Sequence, residues 1–250
     1  MTDRAVQGPG TLFVVGTGPG DPELLTLKAA RLIAAAGCVA YFAKRGRTGH
    51  ARGVAEGHIG PAAEEIRLEY PFTTELAVED PRYPAGITAF YERCASLLAA
   101  RLSAGLDVAL LCEGDPFFYG SAMYLFDRLA AEFPHRIVPG VTGMSGCWSA
   151  AGLPFTHGDD ILQVLPGTLA LERLVERLGG GDASVIMKVG GNLPKIRAAL
   201  DQAGLLGRAV LVEFGTMRDE RIRRLDGLDP TAAPAPYFSL VLVPGRQGPR

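Results

Sequence analysis

The residue types best suited to binding chemistry in this sequence sit in three short turns: Gly16-Thr17-Gly18-Pro19-Gly20, Glu113-Gly114-Asp115-Pro116 and Pro139-Gly140-Val141-Thr142. Each follows a short apolar run that reads as a buried strand. Each therefore falls at the carboxyl end of a strand, where open α/β sheets place their ligands. Glycine and proline also make plain tight turns, but three strand-to-turn units in one half of the chain are compatible with a single crevice. The first turn invites comparison with the dinucleotide fingerprint. Its third glycine comes one position early, Pro19 has no amide to offer a pyrophosphate, and no acidic residue ends the second predicted strand, Cys38–Ala43. A nucleotide-dependent oxidoreductase is disfavoured on those grounds.

For proton transfer, Glu113, Asp115 and Tyr119 qualify by type, although an Asp in a Gly-Asp-Pro turn is first a turn former. His50, His58, His135 and His157 lie in or beside predicted loops, where solvated histidine is the commoner case. For carboxylate recognition the sequence offers arginine: all but four of the 25 basic residues are Arg, whose planar fork suits carboxylates and phosphates. One basic stretch, Lys44, Arg45, Arg47 and Arg52, follows the second strand; another comprises Arg218, Arg221, Arg223 and Arg224. Each is either a carboxylate-binding surface or an ordinary solvated face. Cys38, Cys94, Cys112 and Cys147 form no C-x-x-C pair, so neither a zinc site nor a disulfide framework is indicated, and no metal is expected.

The elements that position these residues alternate. Strand 11–15 enters the first glycine turn, and a helix capped by Asp21 or Thr26 follows, with a period through Leu24, Leu27, Ala30, Arg31 and Ile33 and a stop at Gly37. Strand 38–43 leads into a stretch read as irregular from Lys44 to about Pro84. A helix over 87–102, strand 107–112, helix 121–132, strand 136–138 and a small-residue helix over 143–151 complete a first domain, 1–152. A second domain, 153–250, reads as strand 161–165, helix 169–178, strand 184–188, helix 194–203, strand 209–213 and a last strand at 237–243. The alternation predicts α/β layers with sheets covered on both faces.

Composition agrees with a globular chain: 250 residues, 48% hydrophobic and 21% charged. A formal net charge of −2 disfavours nucleic acid as a partner. Met1 to Gly10 contains no apolar leader core, and no run of about 18 apolar residues follows. No membrane span is expected, and a cytoplasmic location is.

The run from Val14 to Ala29, containing Gly16-Thr17-Gly18-Pro19-Gly20-Asp21-Pro22, resembles the opening motif of the tetrapyrrole methylase family. Glu113-Gly114-Asp115-Pro116-Phe117-Phe118-Tyr119-Gly120-Ser121 resembles its second motif and Val138-Pro139-Gly140-Val141-Thr142-Gly143-Met144-Ser145 its third, in the family's order. Leu68-Glu69-Tyr70-Pro71-Phe72-Thr73-Thr74-Glu75, Met187-Lys188-Val189-Gly190 and Tyr237–Val243 extend the likeness over essentially the whole chain. The resemblance implies a class III methyltransferase of two unlike α/β domains with the active site in the trough between them, and a homodimer. It also implies S-adenosylmethionine as methyl donor, S-adenosylhomocysteine as product, and a carboxylate-rich tetrapyrrole of the corrin (vitamin B12) pathway as acceptor. By the same resemblance the donor contacts Pro19, the turn Glu113, Gly114 and Asp115, Phe118, Thr142 and Gly143, and in the second domain Met187, Gly215 and Leu240. Backbone amides and Thr142 suit a carboxylate and a ribose, while Met187 and Leu240 can bracket an adenine face; Met187 is equally at home in a core. A non-catalytic binder of the same ligands, or a sister methyltransferase acting at another ring position or on a cobalt-containing substrate, is the alternative.

Overall fold

The computed structural model describes residues 8–72, 80–229 and 233–245; Thr73, Thr74 and Glu75 of the fourth family-like segment lie outside them. The chain divides into two compact units, 1–142 and 143–250, so the division falls at the end of the third glycine turn rather than at the expected 152/153.

The first unit is built on a five-stranded parallel sheet: β1 (Leu12–Gly16), β2 (Cys38–Ala43), β3 (Glu64–Glu69), β4 (Val108–Cys112) and β5 (His135–Val138), in the order β3-β2-β4-β1-β5. Every residue of β1, β2 and β4 is buried. That is why these strands read as continuous apolar runs, since a parallel sheet is covered on both faces. One face packs Phe13, Val15, Val39, Tyr41, Ala109 and Leu111 against α1 (Leu27–Ala35) and α2 (His50–Ala55). The other packs Leu12, Val14, Ala40, Phe42, Val108 and Leu110 against α3 (Arg82–Ser103) and α4 (Ala122–Leu129). Each fully buried Leu or Ile contributes roughly 1.5–3 kcal/mol.

The helix after the first turn is reached in two steps, each with a cap. Asp21 accepts from the Glu23 amide at 2.9 Å over a short 3-10 turn, and Thr26 Oγ1 accepts from the Ala29 amide at 3.1 Å to start α1. The buried stripe of α1 is Ala29 and Ile33, whereas Leu27, read from the sequence as part of the apolar period, is 91% exposed.

The stretch read as irregular holds α2 and the edge strand β3. In β3 only Ile66 and Leu68 point inward, between charged neighbours, so two apolar residues were too few to declare a strand. Helix α3 begins at Arg82, five residues before the expected Ile87, because Pro84 sits within the first turn, where its missing amide costs nothing.

The second unit has a mixed sheet, β6 (Leu162–Pro166), β7 (Ala183–Met187), β8 (Val210–Glu213), β9 (Arg221–Arg224) and β10 (Ser239–Val243), ordered β6-β7-β10-β8-β9. Strands β6 and β7 run parallel; the other pairings are antiparallel. One face carries α6 (Leu171–Leu178) and α7 (Leu193–Gln202) over Leu165, Ile186, Leu211 and Val241. The other carries α5 (Gly143–Ala150), through Cys147, and Phe155 over Val185, Val212, Leu240 and Leu242. The two units are thus unlike α/β layers, one all-parallel and one mixed. Strand β9 was not expected: all four of its residues are exposed, and what makes it a strand is its ladder to β8, not an apolar pattern. No helix among the described residues is long and apolar enough to cross a membrane.

Candidate active site

The three glycine turns are neighbours because β1 lies between β4 and β5 and all three strands run in the same direction. Helices α1 and α4, which follow the turns of β1 and β4, pack on opposite faces of the sheet. The carboxyl ends of β1 and β4 therefore flank the point where the chain's winding reverses, the location at which open α/β sheets form a ligand crevice.

At that point the backbones are tied together. Gly114 donates its amide to the Gly18 carbonyl at 2.8 Å and Gly18 returns one to Gly114 at 3.3 Å. Buried Thr17 gives both its amide, at 2.9 Å, and its hydroxyl, at 3.1 Å, to the Cys112 carbonyl. Asp115 uses one carboxylate oxygen for the Phe117 amide at 2.9 Å and the other for the Gly140 amide at 3.2 Å.

Two of the glycines are there for want of space. A Cβ on Gly140 would stand 2.1 Å from the Gly114 carbonyl oxygen, and one on Gly16 would stand 2.6 Å from that same oxygen and from the Gly140 nitrogen. Gly18 and Gly114 also have φ of 82° and 65°, which L side chains resist. Pro19 is buried, Asp115, Phe118 and Thr142 are half-buried, and Glu113 is exposed at the end of β4. The first unit thus brings together Pro19, Glu113, Gly114, Asp115, Phe118 and Thr142 at one edge of its sheet.

The remaining expected donor contacts belong to the second unit. Strands β7, β10 and β8 are adjacent, with Val241 opposite Ile186 and Leu240 opposite Val212. Met187, at the end of β7, and Leu240, near the start of β10, pack into one apolar cluster with Cys147 and Val212. Gly215 follows β8, and a Cβ there would meet Cys147 Sγ at 2.6 Å. Gly143, at the start of α5, has open space around its Cα.

Among the described residues, four that are not glycine adopt positive φ: Tyr119 (56°), Lys188 (55°), Phe214 (53°) and Thr216 (67°). Tyr119 follows Phe118, Lys188 follows Met187, and Phe214 and Thr216 flank Gly215. Such conformations cost on the order of 1–3 kcal/mol each and persist where the surroundings over-determine them, most often at functional sites. That all four adjoin a residue of the candidate site is a signal the sequence does not carry.

The basic residues divide. Lys44, Arg45 and Arg47 are exposed in the turn that ends β2, next to β4 and at the same sheet edge as the glycine turns. Arg52 does not share that freedom. From α2 it grips Glu65 of β3 with two bonds of 3.0 Å and Glu56 at 2.7 Å, which ties α2 to the edge strand. In the second unit Arg221 and Arg223 close on buried Glu213 at 3.3 and 2.6 Å, and Arg224 on Asp226 at 2.8 Å; these three arginines are part of the architecture of β9.

Burial, with help from the Glu113 charge, pushes Cys112 up to about 12, and burial does the same to Cys147.

Two unlike α/β units, the first with a junction of glycine backbones where its sheet's winding reverses, are what the fold defines. The comparisons with known proteins give it a family. The model for tetrapyrrole (corrin/porphyrin) methylases matches residues 11–228, and the chain belongs to that family. It is 55% identical over 238 residues to a precorrin-2 C(20)-methyltransferase of Sinorhizobium sp, covering 95% of this chain and 96% of that one. A cobalt-precorrin-2 C(20)-methyltransferase of Salmonella typhimurium is 29% identical, with 94% and 96% covered. Among solved structures, uroporphyrin-III C-methyl transferase from Thermus thermophilus, complexed with S-adenyl homocysteine, superimposes with a TM-score of 0.62 at 25% identity over 94% of this chain and 92% of that one.

Proposed function

We propose that this enzyme transfers the methyl group of S-adenosylmethionine to C-20 of precorrin-2, giving precorrin-3A and S-adenosylhomocysteine in cobalamin biosynthesis. The observation that carries the reading is the junction of Gly16, Gly18, Gly114 and Gly140, a wall of backbone with no room for side chains, in a chain that shares 55% of its residues with a relative of that name over nearly its full length. The weaker likeness to the cobalt-precorrin relative favours the metal-free substrate. We further place the enzyme in the cytoplasm as a homodimer.

The donor, when bound, supplies an electrophilic methyl group on a sulfonium whose charge is lost in an in-line displacement. The protein's share is alignment and exclusion of water. The turns at Pro19, Glu113–Asp115 and Thr142-Gly143 hold the donor's polar end through backbone groups that are fixed before it arrives. Met187 and Leu240 offer the apolar, polarizable surface that an adenine requires, and Gly215 allows close approach. The acceptor carbon is already electron-rich, so its attack forms a carbon–carbon bond and leaves one proton to be removed. Asp115 has both oxygens engaged in holding the turn, whereas Glu113 is exposed beside it; we assign proton removal to Glu113. Lys44, Arg45 and Arg47 meet the substrate's carboxylates, and Arg52 holds the element behind them. Incubation of the purified protein with methyl-labelled donor and precorrin-2 tests the reading: transfer to a tetrapyrrole supports it, and none overturns it.

A further inference from the structure

The turn from Glu113 to Gly120 is pinned at its near end by the Gly18 and Gly140 contacts, but its far end needs a fixed point too. Tyr119 has φ of 56° and Gly120 is pressed against Pro116 and Cys112, where a Cβ would come within 2.6 Å of the Pro116 oxygen and 2.7 Å of Cys112 Sγ.

The next residue, Ser121, precedes α4 at the position where a serine ordinarily caps the helix, an interaction worth about 1 kcal/mol. Its backbone is helical, with φ of −63° and ψ of −20°, rather than extended as a capping residue's is, and its side chain makes no cap. Its Oγ instead accepts a hydrogen bond of 2.7 Å from the Tyr70 hydroxyl, 51 residues earlier and just beyond β3. Tyr91 of α3 joins the same group of hydroxyls.

The Tyr70 ring is itself fixed, stacked on Phe42 at 5.5 Å and tilted against Phe90 at 4.9 Å. Burial, with smaller contributions from Tyr91 and Glu113, pushes the Tyr70 phenol above its usual range. The start of α4 is thereby tied to the aromatic core.

We infer that Tyr70 is a positioning residue for the methyl donor, acting through Ser121 to hold the Glu113–Gly120 turn in its binding conformation. The inference rests on the methyl-donor reading of that turn. Loss of the tie leaves the Tyr70 ring packed against Phe42 and Phe90; what it loosens is the far end of the turn, which follows Phe118.

The test is calorimetric binding of S-adenosylhomocysteine to the full chain, with steady-state kinetics and thermal melting alongside. Tyr70→Phe and Ser121→Ala should each weaken binding about five- to tenfold and raise the donor KM by a similar factor, while the tetrapyrrole KM holds. The double variant should be no worse than either single one, and Ser121→Thr, which keeps the acceptor, should recover most of the affinity. Melting of Tyr70→Phe should stay within about 3 °C of the parent protein. A Tyr70→Phe variant that binds as tightly as the parent, whatever its melting temperature, overturns the inference while leaving the donor site standing. A parent protein that does not bind S-adenosylhomocysteine overturns both.

Discussion

Asp115 Oδ2 accepts a hydrogen bond of 3.2 Å from the amide of Gly140, so the carboxylate of one turn holds the backbone of another. Its second oxygen serves Phe117. One side chain thus links the ends of β4 and β5 across the candidate site. Asp115→Ala leaves an exposed amide and a half-buried one without their partner, costs roughly 1 kcal/mol per lost bond, and should lower both melting temperature and S-adenosylhomocysteine affinity. Asp115→Asn keeps one good acceptor and should fall between. Equal kcat for Asp115→Asn and the parent at saturating donor would agree with a holding role; total loss of turnover with intact binding would make Asp115 the proton acceptor instead.

Gly140 has no space for a methyl group. Its Cβ would sit 2.1 Å from the Gly114 oxygen, and the backbones at the junction cannot part without breaking the paired Gly18–Gly114 bonds. Gly140→Ala should destabilise the protein by about 3 kcal/mol, visible as a melting shift of several degrees, and should abolish donor binding. Gly53→Ala, on α2 with open space around it, is the control and should be neutral or slightly stabilising.

Arg52 and Arg45 should behave differently although the sequence groups them. Arg45→Ala, like Lys44→Ala and Arg47→Ala, should raise the tetrapyrrole KM and weaken its salt dependence with little change in melting. Arg52→Ala should cost about 1 kcal/mol of stability, given its partial exposure, and leave the tetrapyrrole KM nearly unchanged.

The Arg52 contribution has a pH signature. The hydrogen bond from Arg52 holds Glu65 below the usual carboxylate range. A carboxyl depressed in the folded state adds stability that is fully present above its unfolded value, near 4.5, and is lost as pH falls through the folded value. Urea denaturation should therefore show the parent and Arg52→Ala separated at pH 7 and converging below about pH 4.

The legible part of this fold was the part made of apolar strands ending in glycine. Strands β1, β2 and β4 announced themselves because both faces are covered, and the turns after β1, β4 and β5 because glycine and proline punctuate them. What stayed hidden was structure held by charge. Strand β3 has two inward side chains, Ile66 and Leu68, and is backed by the Arg52–Glu65 pair; β9 exists through its ladder to β8 and the grip of Arg221 and Arg223 on Glu213. The candidate site was legible as three turns compatible with a single crevice, but their junction follows from a strand order that places β1 between β4 and β5, and no local pattern encodes that order. Nor does sequence show that Asp115 is occupied by two amides, that Arg52 is spent on Glu65 and Glu56, or that Ser121 accepts from Tyr70.

The central claim is tested most directly by locating the transferred carbon. The purified protein, supplied with [methyl-13C]S-adenosylmethionine and enzymatically made precorrin-2, should give one equivalent of labelled product whose NMR spectrum places the new methyl group on C-20. A label on any other ring position, or transfer only to the cobalt-containing substrate, would contradict the account.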